Sequence, residues 1–177
     1  MSDKRVITTT LRPDFLDPDG SDRGLRAMVY DLLAVGARME DVRDHLAAEI
    51  GVSGPQYAIL MAIFHLQEEP GGAGVRAVGR RLHVSGPFVT AQANRLVEKG
   101  LVEKRPNPRD GRGVWLCLTD EGNRRIADAA PLIQEANDSF FAALTNVDFL
   151  VLGDIASRLE ESSAKAVQAL RTSAESA

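Results

Sequence analysis

The stretch NRLVEKGLVEKRPNPRDGRGVWLCLTDEG, residues 94–122, decides the fold. It begins in an amphipathic helix that stops at Gly100, where a left-handed cap needs no Cβ. Two short apolar segments, LVEKR and VWLCL, then flank PNPRDGRG, a loop with two prolines and two glycines. That is a β-hairpin pattern, with Arg109, Asp110 and Arg112 at its tip. Along the second segment Val114, Leu116 and Leu118 alternate onto one face, and Trp115 and Cys117 onto the other. Thr119, Asp120 and Glu121 start the next helix, the acidic residues suiting its positive end.

Upstream, Ser85 is a good N-cap and Pro87 fits a first helical turn. The helix they open buries Val89, Ala93, Leu96 and Val97. Before it, Val75, Val78 and Leu82 mark a short helix, VRAVGRRL. Helix, three-residue turn, helix over residues 74–99 is helix-turn-helix spacing, and the hairpin after it is a wing. Ser53 and Gln56 form a capping box in front of YAILMAIFHL, almost wholly apolar and hence buried. The segment EEPGGAG, residues 68–74, is a break.

Farther out, Leu25, Met28, Val29, Leu32, Leu33, Gly36, Met39, Leu46 and Ile50 recur at three- and four-residue steps. A helix of nearly thirty residues in a small domain packs beyond its own globule, often against a second subunit. Downstream of the wing, Pro131 is expected to kink a fifth helix, and Thr145 with Asp148 caps a sixth. The layout expected is an arm over 1–20, extended or disordered, a winged lobe over 53–119, long helices over 21–52 and 120–172, and a tail over 173–177. The fold class is mainly α with a small β-wing.

Net charge is −4, but the balance is uneven. From Gly74 to Arg125 eleven Lys and Arg face five Asp and Glu, a net of +6, which leaves −10 for the rest. A basic middle in an acidic body is the footprint of a nucleic-acid reader, though by composition alone a chance cluster of surface arginines reads as well. The outer face of the fourth helix carries Pro87, Phe88, Thr90, Asn94 and Arg95. A helix fits the major groove, where Asn can pair with adenine and Arg with guanine or phosphate. Gln92 is half turned toward the body. Ser85 and the free N–H groups beside it suit a phosphate. Arg76, Arg80, Arg81, Lys104 and Arg105 are further phosphate candidates.

The quoted stretch resembles the recognition-helix and wing signature of the MarR family of winged-helix transcription regulators. Leu-x-x-x-Gly-Leu-Val, Arg-Asp-x-Arg and Leu-Thr-x-x-Gly occur together at that family's intervals. The likeness in element order covers roughly residues 22–170. It implies a homodimer, formed by the N- and C-terminal helices, on a pseudo-palindromic operator in double-stranded DNA. It implies that Arg112 enters the minor groove, where a narrow A·T-rich groove deepens the negative potential. Asp110 would then orient Arg112 or Arg109 by a charge-assisted hydrogen bond. The glycines on both sides of Arg112 depart from the family pattern and loosen the tip. The family also implies a small-molecule site between the dimer helices and the DNA lobe, which Arg38, Tyr57, Met61 and His65 would border. Arg38 could pair with the carboxylate of an aromatic acid, or with Glu40, Asp41 or an acidic residue across the dimer; Met61 and His65 on an apolar helix are more often core filler. A repressor released by such an effector follows from the resemblance. The family's oxidant sensors carry their cysteine near the N-terminal helix, which has none here, so Cys117 is expected to be inert.

An enzyme is not expected. There is no Ser-His-Asp, Cys-His or paired-carboxylate constellation, and GGAG at 71–74 follows no predicted strand and lacks the Lys of a phosphate loop. No cofactor and no metal are expected, since the three histidines stand far apart. The longest apolar run, Tyr57 to Phe64, is far too short for a membrane span. A single cysteine and the absence of a secretory signal point to the cytoplasm. The alternative is a helical protein-interaction module whose winged helix is not used for DNA.

Overall fold

The computed structural model describes residues 7–67, 72–107 and 113–175. Among them the order is α1 Arg23–Ile50, α2 Gly54–Leu66, β1 Ala73–Gly74, α3 Val75–Leu82, α4 Gly86–Glu98, β2 Val102–Pro106, β3 Val114–Leu118, α5 Asp120–Phe140 and α6 Asn146–Glu175. The chain divides into two compact units, residues 1–133 and 134–177. The division falls inside α5 and not at the end of the wing, because the first turns of α5 bury Gly122 and Ile126 in the first unit.

The hub of the first unit is α2. Its run of apolar residues leaves no solvent-facing stripe, and Ile59, Leu60 and Ile63 are fully buried. Around it pack α1, α3, α4 and β3. The Ser53 N–H donates to Gln56 Oε1 at 3.2 Å, the return half of the expected capping box. From α1 the core takes Leu46, Ala47 and Ile50, all from its last turns. The preceding twenty residues contribute none, so Met28, Val29, Leu32, Leu33 and Met39 stay exposed.

The sheet has three antiparallel strands in the order β1-β3-β2. Two were expected. The third, β1, is two residues long and pairs Ala73 with Leu116. No periodicity can be read from so short a piece among glycines. The expected alternation along β3 also gives way to a gradient. Val114, toward the tip, is exposed, whereas Leu116, Cys117 and Leu118, toward the base, are all buried. Depth in the lobe decides burial there, not the face of the strand. Burial pushes the Cys117 thiol up, more than nearby Arg105 pulls it down.

The motif Leu-Thr-x-x-Gly has a packing explanation. Thr119 Oγ1 donates to the Gly100 carbonyl at 2.6 Å and accepts from the Gly122 N–H at 3.0 Å. Gly122 lies so close to the chain at Leu101 that a Cβ would stand 2.2 Å from the Leu101 carbonyl oxygen. Gly100 itself has φ +70°, as its left-handed cap requires.

The arm is largely irregular over its described part. Residues 13–15 form a single 3-10 turn, and the segment is pinned to the start of α1. The Thr9 N–H and hydroxyl both donate to Asp22 Oδ2, at 2.5 and 2.6 Å. The Asp22 carboxylate is fully buried, with Arg26 Nε 3.4 Å from its other oxygen. Asp22 stands at the N-cap position yet turns to the arm. Asp17 supplies the cap, accepting from the Gly24 N–H at 3.2 Å. Asp17 and Asp22 thus join the arm to the start of α1, while most of its described residues are exposed.

In the second unit, Thr145 and Asp148 form the expected capping box: Thr145 N–H to Asp148 Oδ2 is 3.0 Å and Asp148 N–H to Thr145 Oγ1 is 3.2 Å. The helix they start, α6, carries Phe149, Leu152, Ile155, Leu159 and Val167, every one exposed.

Candidate nucleic-acid interface

The helix-turn-helix geometry rests on the turn after α3. His83 takes a left-handed conformation, φ 53°, as the C-cap, and the Val84 N–H returns to the Gly79 carbonyl at 3.0 Å. The turn between α3 and α4 takes three residues. Ser85 then accepts the Phe88 N–H on its hydroxyl at 3.3 Å and opens α4. The buried row Val89, Ala93 and Leu96 fixes the rotation of α4 about its axis. The opposite row therefore faces out, and Pro87, Phe88, Thr90, Ala91, Asn94 and Arg95 are all exposed. Gln92 is half-buried, and its Oε1 is buried with no hydrogen-bond partner among the described residues, so its acceptor faces the body. Ser85 is exposed at the start of the helix, where Phe88 and Val89 donate to its hydroxyl and carbonyl and Pro87 has no N–H, so the Gly86 N–H is the donor of this turn open to an external acceptor.

Of the other basic candidates, Arg76, Arg80 and Arg81 are exposed on α3. Two on β2 already have partners. Arg105 pairs with Glu103 on its own strand, and Lys104 Nζ donates to Asn94 Oδ1 on α4. The sequence offered no signal for that last contact. It joins residues ten apart and depends on how the hairpin packs on the helix. A cavity of about 490 Å3 opens beside it, lined by Arg76, Gly86, Thr90, Lys104, Asn107 and Val114 among others. The wing-tip candidates Arg109, Asp110 and Arg112 lie outside the described residues.

Basic side chains also tie α4 and α5 to the end of α1. Lys99, just past α4, donates to the Gly51 carbonyl at 3.0 Å, and Arg125 donates to the Ile50 carbonyl at 3.3 Å. Cations at a helix C-terminus satisfy its free carbonyls and its negative end. Glu121 accepts from both Arg124 and Arg125, which hold its carboxyl below the usual carboxylate range.

The residues proposed to border a small-molecule site are less concentrated. Tyr57 is buried in α2, Met61 half-buried one turn later, and His65 exposed at the end of the helix against the Phe64 ring, 5.3 Å between centroids. Arg38 is exposed on α1, eight residues before its first buried residue, about 12 Å along the axis.

Comparison with known proteins gives consistent matches. Residues 50–113 match the sequence profile of the MarR family. The HTH-type transcriptional repressor YetL of Bacillus subtilis (strain 168) is 24% identical over 142 residues, 78% of this chain and 84% of that protein. A second B. subtilis protein, the HTH-type regulator YdcH, is 36% identical over 56 residues, which span 38% of its length. Among solved structures, the PcaV transcriptional regulator of Streptomyces coelicolor, in complex with its natural ligand, is 30% identical; the match covers 72% of this chain and 90% of PcaV, with a TM-score of 0.56. A mutant MarR from E. coli complexed with operator DNA has the same fold at 21% identity, covering 77% and 95% of the two chains with a TM-score of 0.64.

Proposed function

We infer the function from one premise: the chain belongs to the MarR family of winged-helix transcription regulators. We propose that two copies form a dimer through α1 and α6 and seat their α4 helices in successive major grooves of a pseudo-palindromic operator. The observation that carries this is the outward row of α4, polar and basic groups on a helix whose rotation the core has fixed. Exposed apolar stripes on α1 and α6 support the dimer, because side chains of that size left open in one chain mark a surface to be covered.

In this reading Thr90, Asn94 and Arg95 face base edges, with Pro87 and Phe88 against thymine methyls and Gln92 at the margin. Ser85 and the Gly86 N–H at the start of α4 hold a phosphate, as do Arg76, Arg80, Arg81 and Arg105. Arg112 reaches the minor groove, with Arg109 beside it and Asp110 orienting the pair. The role is repression. YetL carries that name, and PcaV was solved with its natural ligand, which supports release by a small molecule. The effector is an aromatic acid bound near Arg38, Tyr57, Met61 and His65, in a site that the second chain helps to close. By linkage, such a ligand releases DNA only if it binds the DNA-free state more tightly. A protein of this function works in the cytoplasm, and no single helix among the described residues is long and apolar enough to cross a membrane.

The test is selection of bound duplexes from a random pool by the purified chain, repeated with benzoate and cinnamate derivatives. A dyad-symmetric consensus whose occupancy falls with one acid supports the proposal. No enrichment would overturn it, and enrichment insensitive to every acid would remove the effector.

A further inference from the structure

We propose that Lys104 is a positioning residue for Asn94, setting the orientation in which this amide meets a base edge. The proposal rests on the DNA-binding reading above and assigns a base-reading role within it. Asn94 lies on the outward row of α4, and its Oδ1 accepts from Lys104 Nζ on β2. An ammonium has three donors and no acceptor, so the atom facing it must be the carbonyl oxygen. The orientation of an asparagine amide is ordinarily ambiguous; here the partner settles it. The acceptor of Asn94 points toward the wing and the two N–H donors point away from it.

The tie has a firm base. Lys104 pairs in register with Leu116, which is fully buried, so the packing of β3 fixes where Lys104 stands. Asn94 is one residue from the buried Ala93 and two from the buried Leu96. Both ends of the tie are thus fixed by packing, and only the side chains are free. A base pair presents donors and acceptors in a set order across the major groove. A carboxamide free to flip accepts either order, whereas one held by Lys104 accepts a single order. Discrimination at that base pair then belongs to the pair Asn94–Lys104.

The competing role for Lys104 is the phosphate clamp expected from sequence, and the two roles differ in what they predict. Removing a phosphate clamp weakens binding to all sequences alike and lowers the salt slope by about one ion. Removing a positioning group relaxes preference at one base pair. Consensus sites are to be selected for the wild type, Asn94→Ala, Lys104→Met and the double variant, with affinities measured against salt. The expected result is that Asn94→Ala and Lys104→Met each lose discrimination at the same position, by about tenfold, and that the double variant loses no more than either. In the DNA-free protein the Asn94 side-chain amide NMR signals should shift in Lys104→Met. A uniform drop in affinity in Lys104→Met with its consensus intact, multiplicative effects in the double variant, or amide signals that stay in place would each overturn the proposal. A wild type that selects no consensus would fail the DNA-binding reading itself and take this inference with it.

Discussion

Truncating Leu32 to alanine should weaken the dimer and leave the fold of each chain intact. Leu32 sits in the exposed stripe of α1 with 49% of its surface open. Fully burying a leucine is worth roughly 1.5–3 kcal/mol, so covering the open half is worth roughly 0.7–1.5 kcal/mol. A two-fold interface contains the residue twice. The expected loss is therefore roughly 1.5–3 kcal/mol, a rise of about 10- to 150-fold in the dimer dissociation constant. Sedimentation equilibrium over a range of protein concentrations reads that constant, and far-UV circular dichroism checks that helix content is kept. A dissociation constant within about threefold of wild type would refute the assignment of this stripe to the interface. So would a loss of helix content at concentrations where both proteins are monomeric, because that would make Leu32 part of its own chain's core.

Gly122→Ala should destabilise the lobe by about 1–3 kcal/mol or more, since the new Cβ meets backbone and not a movable side chain; urea denaturation with an unchanged midpoint would mean that α5 shifts freely on the Leu101 turn. Arg112→Ala should weaken operator binding at least about tenfold with no change in melting temperature, as expected for removal of one minor-groove arginine; unchanged affinity in a titration would remove the wing from the mechanism. The arm should release in acid. Hydrogen bonds from Thr9, with Arg26 adding to them, hold the Asp22 carboxyl below its ordinary value of 3.8. A carboxylate depressed in the folded state contributes its stability in full well above that ordinary value and loses it as pH falls below 3.8 through the folded value. Hydrogen exchange at the Thr9 amide should stay slow at about pH 5 and speed up, beyond the intrinsic pH effect, only below about pH 4; equal protection in Asp22→Asn across that range would show that the carboxylate charge does not hold the arm.

The helices and the hairpin were legible because their signals are local. Ser85, Pro87 and Gly100 bound α4 by cap chemistry, and the apolar period of α1 needs no tertiary context to be seen. The outward row of α4 followed from the same period, since Val89, Ala93 and Leu96 point the other way. What stayed hidden depends on packing between distant segments. Two residues of β1 have no period of their own and become a strand only by pairing with β3. Alternation puts Cys117 on the face opposite Leu116, yet both are buried at the base of the sheet. The arm lacks helical pattern, yet Thr9 reaches Asp22 across thirteen residues. Lys104 reads from sequence as a phosphate candidate, because nothing in its neighbours announces Asn94.

The most direct test of the central claim is the stoichiometry and symmetry of the complex on a selected duplex. Mass measurement of the complex, with footprinting of both strands, should find two chains per duplex. It should also find protected half-sites related by a dyad and centred about one helical turn, roughly 34 Å, apart. One chain on an asymmetric site, or protection without a dyad, would contradict the account.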